Sequence, residues 1–133
     1  MLHPKKDTLT YTKDINNASV TFIMTYGEAS FLFTGDLSST YEPSLLVKQL
    51  PKKISVYKAG HHGSNTSSGE LLLSYIRPTY TVVSAGEGNS YGHPHQEVIE
   101  RLLKYNSHIF STASSGSITV VTDGKSIDVQ TEK

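Results

Sequence analysis

Residues 60–64 read Gly-His-His-Gly-Ser and directly follow a strand-like run, Ile54-Ser-Val-Tyr-Lys-Ala59. Two adjacent imidazoles between glycines fill a core poorly, because each buried ring needs a hydrogen-bond partner. They suit a metal ligand or a proton-transfer group placed at a strand end. Two further groups share that setting: Thr34-Gly-Asp36 upstream and Tyr91-Gly-His-Pro94 downstream, each after a run that reads as a strand. Asp36 reads either as a turn aspartate bonding its own backbone or as a carboxylate at a glycine-loosened strand end, able to bind or bridge cations. Neighbours on an extended chain point to opposite faces, so one of His61 and His62 is expected to look into a given site. His61, which continues from the strand, is the expected ligand with His62 beside it; the reverse assignment stays open.

Ser64-Asn65-Thr66-Ser67 runs into a capped helix whose free amides favour an anion such as phosphate. Plain capping accounts for the same residues. His93-Pro-His95 is a His-x-His, which invites a zinc reading. Pro94 is well placed as a first helical residue, so His93 is expected to face the loop as a site residue and His95 to lie in an exposed helical turn. His3 and His108 have no supporting pattern and read as ordinary surface or edge residues.

The elements that must position these groups follow from periodicity. Ala18–Tyr26 alternates, Gly27-Glu28 turns, and Ala29–Thr34 returns, which makes a hairpin. A short helix is expected over Tyr41–Leu50, entered through Thr40 and stopped by Pro51, then a strand over Ile54–Ala59. Ser67-Ser-Gly-Glu70 has the form of a capping box opening a helix through Leu71, Leu72, Leu73 and Ile76. Thr79–Ala85 reads as a buried strand, and Val98, Ile99, Leu102 and Leu103 mark the apolar face of a helix. His108–Val129 is expected to form three short strands turning at Ser115-Gly116 and Asp123-Gly124. Residues 1–17 read as a loosely held lead-in or an edge strand, and residues 18–133 as the domain. The order ββαβαβαβββ indicates an α/β fold with a mixed sheet and helices packed against it. In such sheets ligands gather beyond the carboxyl ends of the strands, where Asp36, His61 and His93 fall.

The chain has 133 residues, which suits one domain with a real core. Twelve basic and twelve acidic side chains cancel, so no global field draws nucleic acid or anionic membrane, and any polyanion binding is expected to be local. With no cysteine, disulfides, thiolate metal sites and cysteine nucleophiles are excluded. The start has no apolar segment of the signal-peptide type, and no stretch approaches the roughly 20 apolar residues that span a bilayer. A soluble chain is expected.

Asn17-Ala-Ser-Val20 before the hairpin, Phe33-Thr-Gly-Asp36, Lys58-Ala-Gly-His-His-Gly-Ser64, Asn89-Ser-Tyr-Gly-His-Pro94 and Ser115-Gly-Ser-Ile118 occur here in order. Together they resemble the C-terminal half of a metallo-β-lactamase-fold hydrolase, of the ComEC-type DNA-uptake (competence) proteins and their stand-alone relatives. The resemblance runs through residues 16–122. It implies an αββα sandwich, of which this chain would supply one βα half and the central hairpin. Carried over, Asp36 resembles the family's metal-bridging aspartate and His61, or His62, its late histidine ligand. His62, Ser64, Asn89 and His93 would contact substrate or support the ligands. The family's chemistry is attack of a zinc- or manganese-activated water on an ester, amide or phosphodiester.

Two departures shape the expectation. The sequence contains no His-x-His-x-Asp-His segment, and Asn16-Asn17 stands where many such hydrolases carry a further histidine. A catalytic zinc takes three protein ligands and a water, whereas Asp36 and one histidine make two. The expectation is therefore the later portion of a metal-dependent phosphodiesterase-like domain of DNA uptake, inactive by itself. It would be completed by an N-terminal half or by a second copy, with a membrane-associated parent and this domain outside the cytoplasm. The alternatives are a non-catalytic module binding phosphate or nucleic acid, and a self-associating structural half-domain.

Overall fold

Phe22–Tyr26 (β1) and Ala29–Phe33 (β2) form the expected hairpin, with Phe22 opposite Phe33 and Tyr26 opposite Ala29. The computed structural model describes residues 1–4, 13–47 and 50–133. After the hairpin come a one-turn helix, Pro43–Leu46 (α1), and the strand Val56–Lys58 (β3). Glu70–Ile76 (α2), Tyr80–Val83 (β4), Gln96–Lys104 (α3) and His108–Ser111 (β5) follow. A single helical turn, Thr112–Ser115 (α4), precedes the hairpin Ile118–Thr122 (β6) and Ile127–Thr131 (β7). Apart from α4, this is the order read from the sequence.

The main sheet runs β1-β2-β3-β4-β5, with β1 antiparallel to β2 and the other neighbours parallel. Alternation sends Leu32, Tyr57 and Thr81, which share one register row, to the same face. There Leu45 of α1, Leu72, Leu73 and Ile76 of α2, and Val98 and Leu102 of α3 pack with Leu32 and Tyr57 into the larger core. On the opposite face Ala29, Phe31 and Val56 are covered by Val120 and Ile127 of the β6–β7 hairpin. The two turns meet at Gly27, where a Cβ would lie 2.6 Å from the Gly124 carbonyl oxygen.

Four expectations are corrected. The helix expected over Tyr41–Leu50 is limited to Pro43–Leu46 among the described residues, since Pro43 sits in its first turn and Val47 caps it; residues 48–49 lie outside the described residues. The capping box at Ser67–Glu70 does not form. Ser67 Oγ donates to the Leu37 carbonyl and Ser68 Oγ pairs with the Tyr57 hydroxyl, so both hydroxyls turn into the core. Glu42 takes over, accepting from the Ser68 and Gly69 amides at 2.6 and 2.8 Å. The third helix starts at Gln96 instead of Pro94, because His95 holds extended backbone as its N-cap. His3, read as a surface or edge residue, is a buried one at the sheet's edge: it bridges to Thr21, and its Nε2 donates to the Asn17 carbonyl at 2.6 Å. The lead-in is thereby tied to the sheet at residues 2–3, and Asn17 is buried in the turn Ile15–Ala18; residues 5–12 lie outside the described residues.

Candidate functional site

Strands β2, β3 and β4 are parallel, so the loops after them emerge at one edge of the sheet. Thr34-Gly-Asp36 leaves β2, Gly60–Gly63 leaves β3, and the loop after β4 carries Asn89 to His95. Two links fix the first two loops to each other, one direct bond and one relay through the Tyr57 hydroxyl. The His61 amide donates to the Gly35 carbonyl at 2.9 Å. The Gly60 amide donates to the Tyr57 hydroxyl and to Ser68 Oγ at 3.2 and 3.3 Å. Tyr57, fully buried, also lies 2.9 Å from Ser68 Oγ and 3.4 Å from Thr34 Oγ1. Burial pushes its phenol up to about 12, so it stays a protonated hub.

The extended backbone assumed for the histidine pair is absent. His61 and His62 both take left-handed conformations, with φ of 47° and 59°, a region costly for residues with a Cβ. This turn brings both rings into one group instead of sending them to opposite faces. Their centroids lie 6.3 Å apart, and the His93 ring stands 5.8 Å from His61 and 6.5 Å from His62. His95 adds a fourth imidazole 4.8 Å from His93, and Tyr91 stacks on His93 at 5.6 Å.

Hydrogen bonds define what each ring can offer. His62 Nδ1 donates to the Ser84 carbonyl at 2.7 Å, which leaves Nε2 free. His95 accepts from the Asn65 amide at Nδ1 and donates from Nε2 to the Tyr91 carbonyl, so both its nitrogens are occupied. It staples the His61–His62 loop to the Tyr91–His93 loop. His61 Nδ1 lies 3.4 Å from Thr66 Oγ1. His93 is held below the ordinary histidine value, first by burial and then by its imidazole neighbours, with Asp36 opposing. Asp36 is half-buried, and its amide donates to Ser19 Oγ at 3.1 Å. Burial also lowers the Lys58 ammonium, and Asp36 counters that shift as well, which puts its carboxylate within electrostatic reach of both groups.

Other expected site residues have structural partners. Asn89 donates to the His93 carbonyl and accepts from the His93 amide, closing the turn that presents that ring. Ser64 Oγ accepts from the Thr66 amide within its own loop. The anion expected at the helix start after it has no room, because Glu42 already holds those amides. His62, Asn89, Tyr91 and His93 border an open depression of about 210 Å³. Sequence reasoning missed His95 and Tyr57 as supports. The Tyr57 signal was a tyrosine inside a buried strand, whose hydroxyl demands a partner. Among the described residues, no three His, Asp or Glu side chains form a group that could hold a metal ion. Asp36 and the histidines therefore do not make a metal centre by themselves, and no reaction step is assigned to one.

A family described as the metallo-beta-lactamase superfamily matches residues 4–87. The chain belongs to the metallo-β-lactamase superfamily. Metal ions are general in that superfamily, and the mixed sheet with its helical layer is consistent with its fold. "Recombination protein 2" of Haemophilus influenzae is 39% identical over 109 residues, covering 82% of this chain and 14% of that protein. "ComE operon protein 3" of Bacillus subtilis is 36% identical across 77% of this chain and 13% of its own length. "Competence protein ComA" of Neisseria gonorrhoeae is 38% identical across 79% of this chain and 15% of its own length. The chain thus matches only a small fraction of the length of these relatives. No helix among its described residues is long and apolar enough to cross a membrane.

Proposed function

We propose that this chain serves DNA uptake as the histidine-bearing wall of a superfamily domain that binds a nucleic-acid phosphodiester at the carboxyl edge of its sheet. The observation that carries this reading is the convergence of His61, His62 and His93 from two loops, stapled by His95. A neutral imidazole offers one N–H donor, which suits the anionic oxygens of a phosphodiester. Tyr91, 76% exposed and stacked on His93, supplies a ring on which a base can rest. The competence-protein relatives support the DNA context.

Hydrolysis in the superfamily is metal-assisted. Zinc or manganese would draw on Asp36 and His61 here and would need ligands beyond those that the described residues bring together, so the chain by itself is assigned binding and not turnover. Fluorescence anisotropy with a labelled single-stranded oligonucleotide tests this. His61→Ala combined with His93→Ala is expected to weaken binding about tenfold. Unchanged affinity would contradict the site. Manganese-dependent cleavage of the oligonucleotide that is abolished by Asp36→Ala would contradict the assignment to binding alone.

A further inference from the structure

At the opposite edge of the sheet, before β3, β4 and β5, lies a cavity of about 330 Å³ ringed by Lys52, Lys53 and Arg77 with Tyr105 and Asn106. A second depression of about 310 Å³ shares Lys53 and Thr79 with it and adds Lys125, Tyr80 and Glu28. The two adjoin at Lys53 and Thr79, and along the groove they outline four cations accompany a single carboxylate, on a chain whose formal net charge is zero. Among the described residues the ion pairs gather on Glu70, with Arg101 and Lys104, and none uses a groove cation.

Helix dipoles account for part of this charge. Arg77 follows the carboxyl end of α2, and its Nε donates to the Ser74 carbonyl. Yet Arg77 holds a left-handed φ of 36°, where glycine is the easy choice. It retains a long cationic side chain whose guanidinium stands 6.0 Å over the Tyr105 ring. Lys52, Lys53 and Lys125 sit on bends and cap no helix. Cations interleaved with two tyrosines along an open groove match what a single-stranded backbone requires: charge for its phosphates and rings for its bases. Insertion into a membrane interface would call for large exposed apolar side chains, and none of those among the described residues lines the groove.

We propose that this groove is a second nucleic-acid contact, remote from the histidine cluster, which binds the phosphodiester backbone through Lys52, Lys53, Arg77 and Lys125 with Tyr80 and Tyr105 beside it. The choice of nucleic acid as the polyanion rests on the DNA-uptake reading above; the groove and its charge do not. The test compares the full chain, its Lys52→Gln, Lys53→Gln, Lys125→Gln variant and the histidine double variant, each with a fluorescein-labelled oligodeoxythymidine over a range of salt. Those lysines are exposed or lie on a bend, and circular dichroism confirms that the variant is folded. Its affinity is expected to fall at least about tenfold, with the log–log salt slope shallower by about 2, near 0.7 per phosphate contact removed. In the histidine double variant that slope is expected to stay unchanged. An unchanged slope and affinity in the lysine variant overturns the groove while leaving the histidine site standing; loss confined to the lysine variant overturns the histidine site instead. Co-sedimentation with phosphatidylglycerol vesicles, lost in the lysine variant while oligonucleotide binding is intact, would also overturn the proposal in favour of a membrane contact.

Discussion

Glu42 places a carboxyl group, 1% exposed, against two backbone amides at the start of α2. Burial raises it from 4.5 to about 7, against the pull of those amides and of Arg101. Between these values the folded chain keeps a proton that the unfolded chain has released, so stability falls as pH rises through that window. The full span corresponds to on the order of 3 kcal/mol. His93 acts in the opposite sense, since its lowered value makes stability rise toward neutral pH. The difference between wild type and Glu42→Gln in urea melts isolates Glu42: wild type should lose stability between about pH 4.5 and 7 relative to the variant. A second expectation concerns Tyr57→Phe. The Gly60 amide keeps Ser68 Oγ as a partner, so removing the phenol oxygen is expected to cost about 1–2 kcal/mol in denaturant unfolding, without loss of fold. Sequence alone singled out Asp36, His61 and His93 as candidates because small, flexible or cyclic residues flank them at strand ends. It did not show Glu42, because nothing local distinguishes a carboxylate that will be buried by a helix arriving from elsewhere.

The loops that carry the histidines are pinned at particular residues. Gly63 takes φ +82°, and a Cβ there would stand 2.7 Å from the Pro94 Cβ. The His95 amide donates to the Gly63 carbonyl at 2.9 Å, and this bond with the Asn65–His95 bond holds the two histidine loops together. Gly63→Ala is expected to cost about 1–3 kcal/mol in urea unfolding, whereas Gly86→Ala, which meets nothing within 4 Å, should stay within about 0.5 kcal/mol of wild type. The order of elements along the chain and the hairpin were legible in the sequence because alternation reports directly which side chains face the sheet. The starts of α2 and α3 were not, because Ser67, Ser68 and Pro94 have the right chemistry for local caps but are recruited by tertiary partners. The left-handed turn at His61–His62 was illegible for a related reason: residues with a Cβ rarely hold that conformation unless surrounding bonds impose it.

Over the whole molecule, one sheet separates two polar edges. Its carboxyl edge gathers imidazoles near a carboxylate, and its amino edge gathers lysines and tyrosines. The motif order Asp36, His61, His93 was sufficient to indicate the superfamily, and the parallel strands bring those three residues to one edge of the sheet. What it left open is that His61, His62 and His93 share one group. The central claim is that this group binds a phosphodiester. Amide and imidazole chemical shifts recorded by heteronuclear NMR during titration with a thymidine dinucleotide test it most directly, since one phosphodiester and two bases are too short to cover both edges. Saturable shifts at Asp36, His61, His62, Gly63 and His93, reduced in His93→Ala, are the predicted result. Shifts that leave those residues unmoved at saturating dinucleotide would contradict the account.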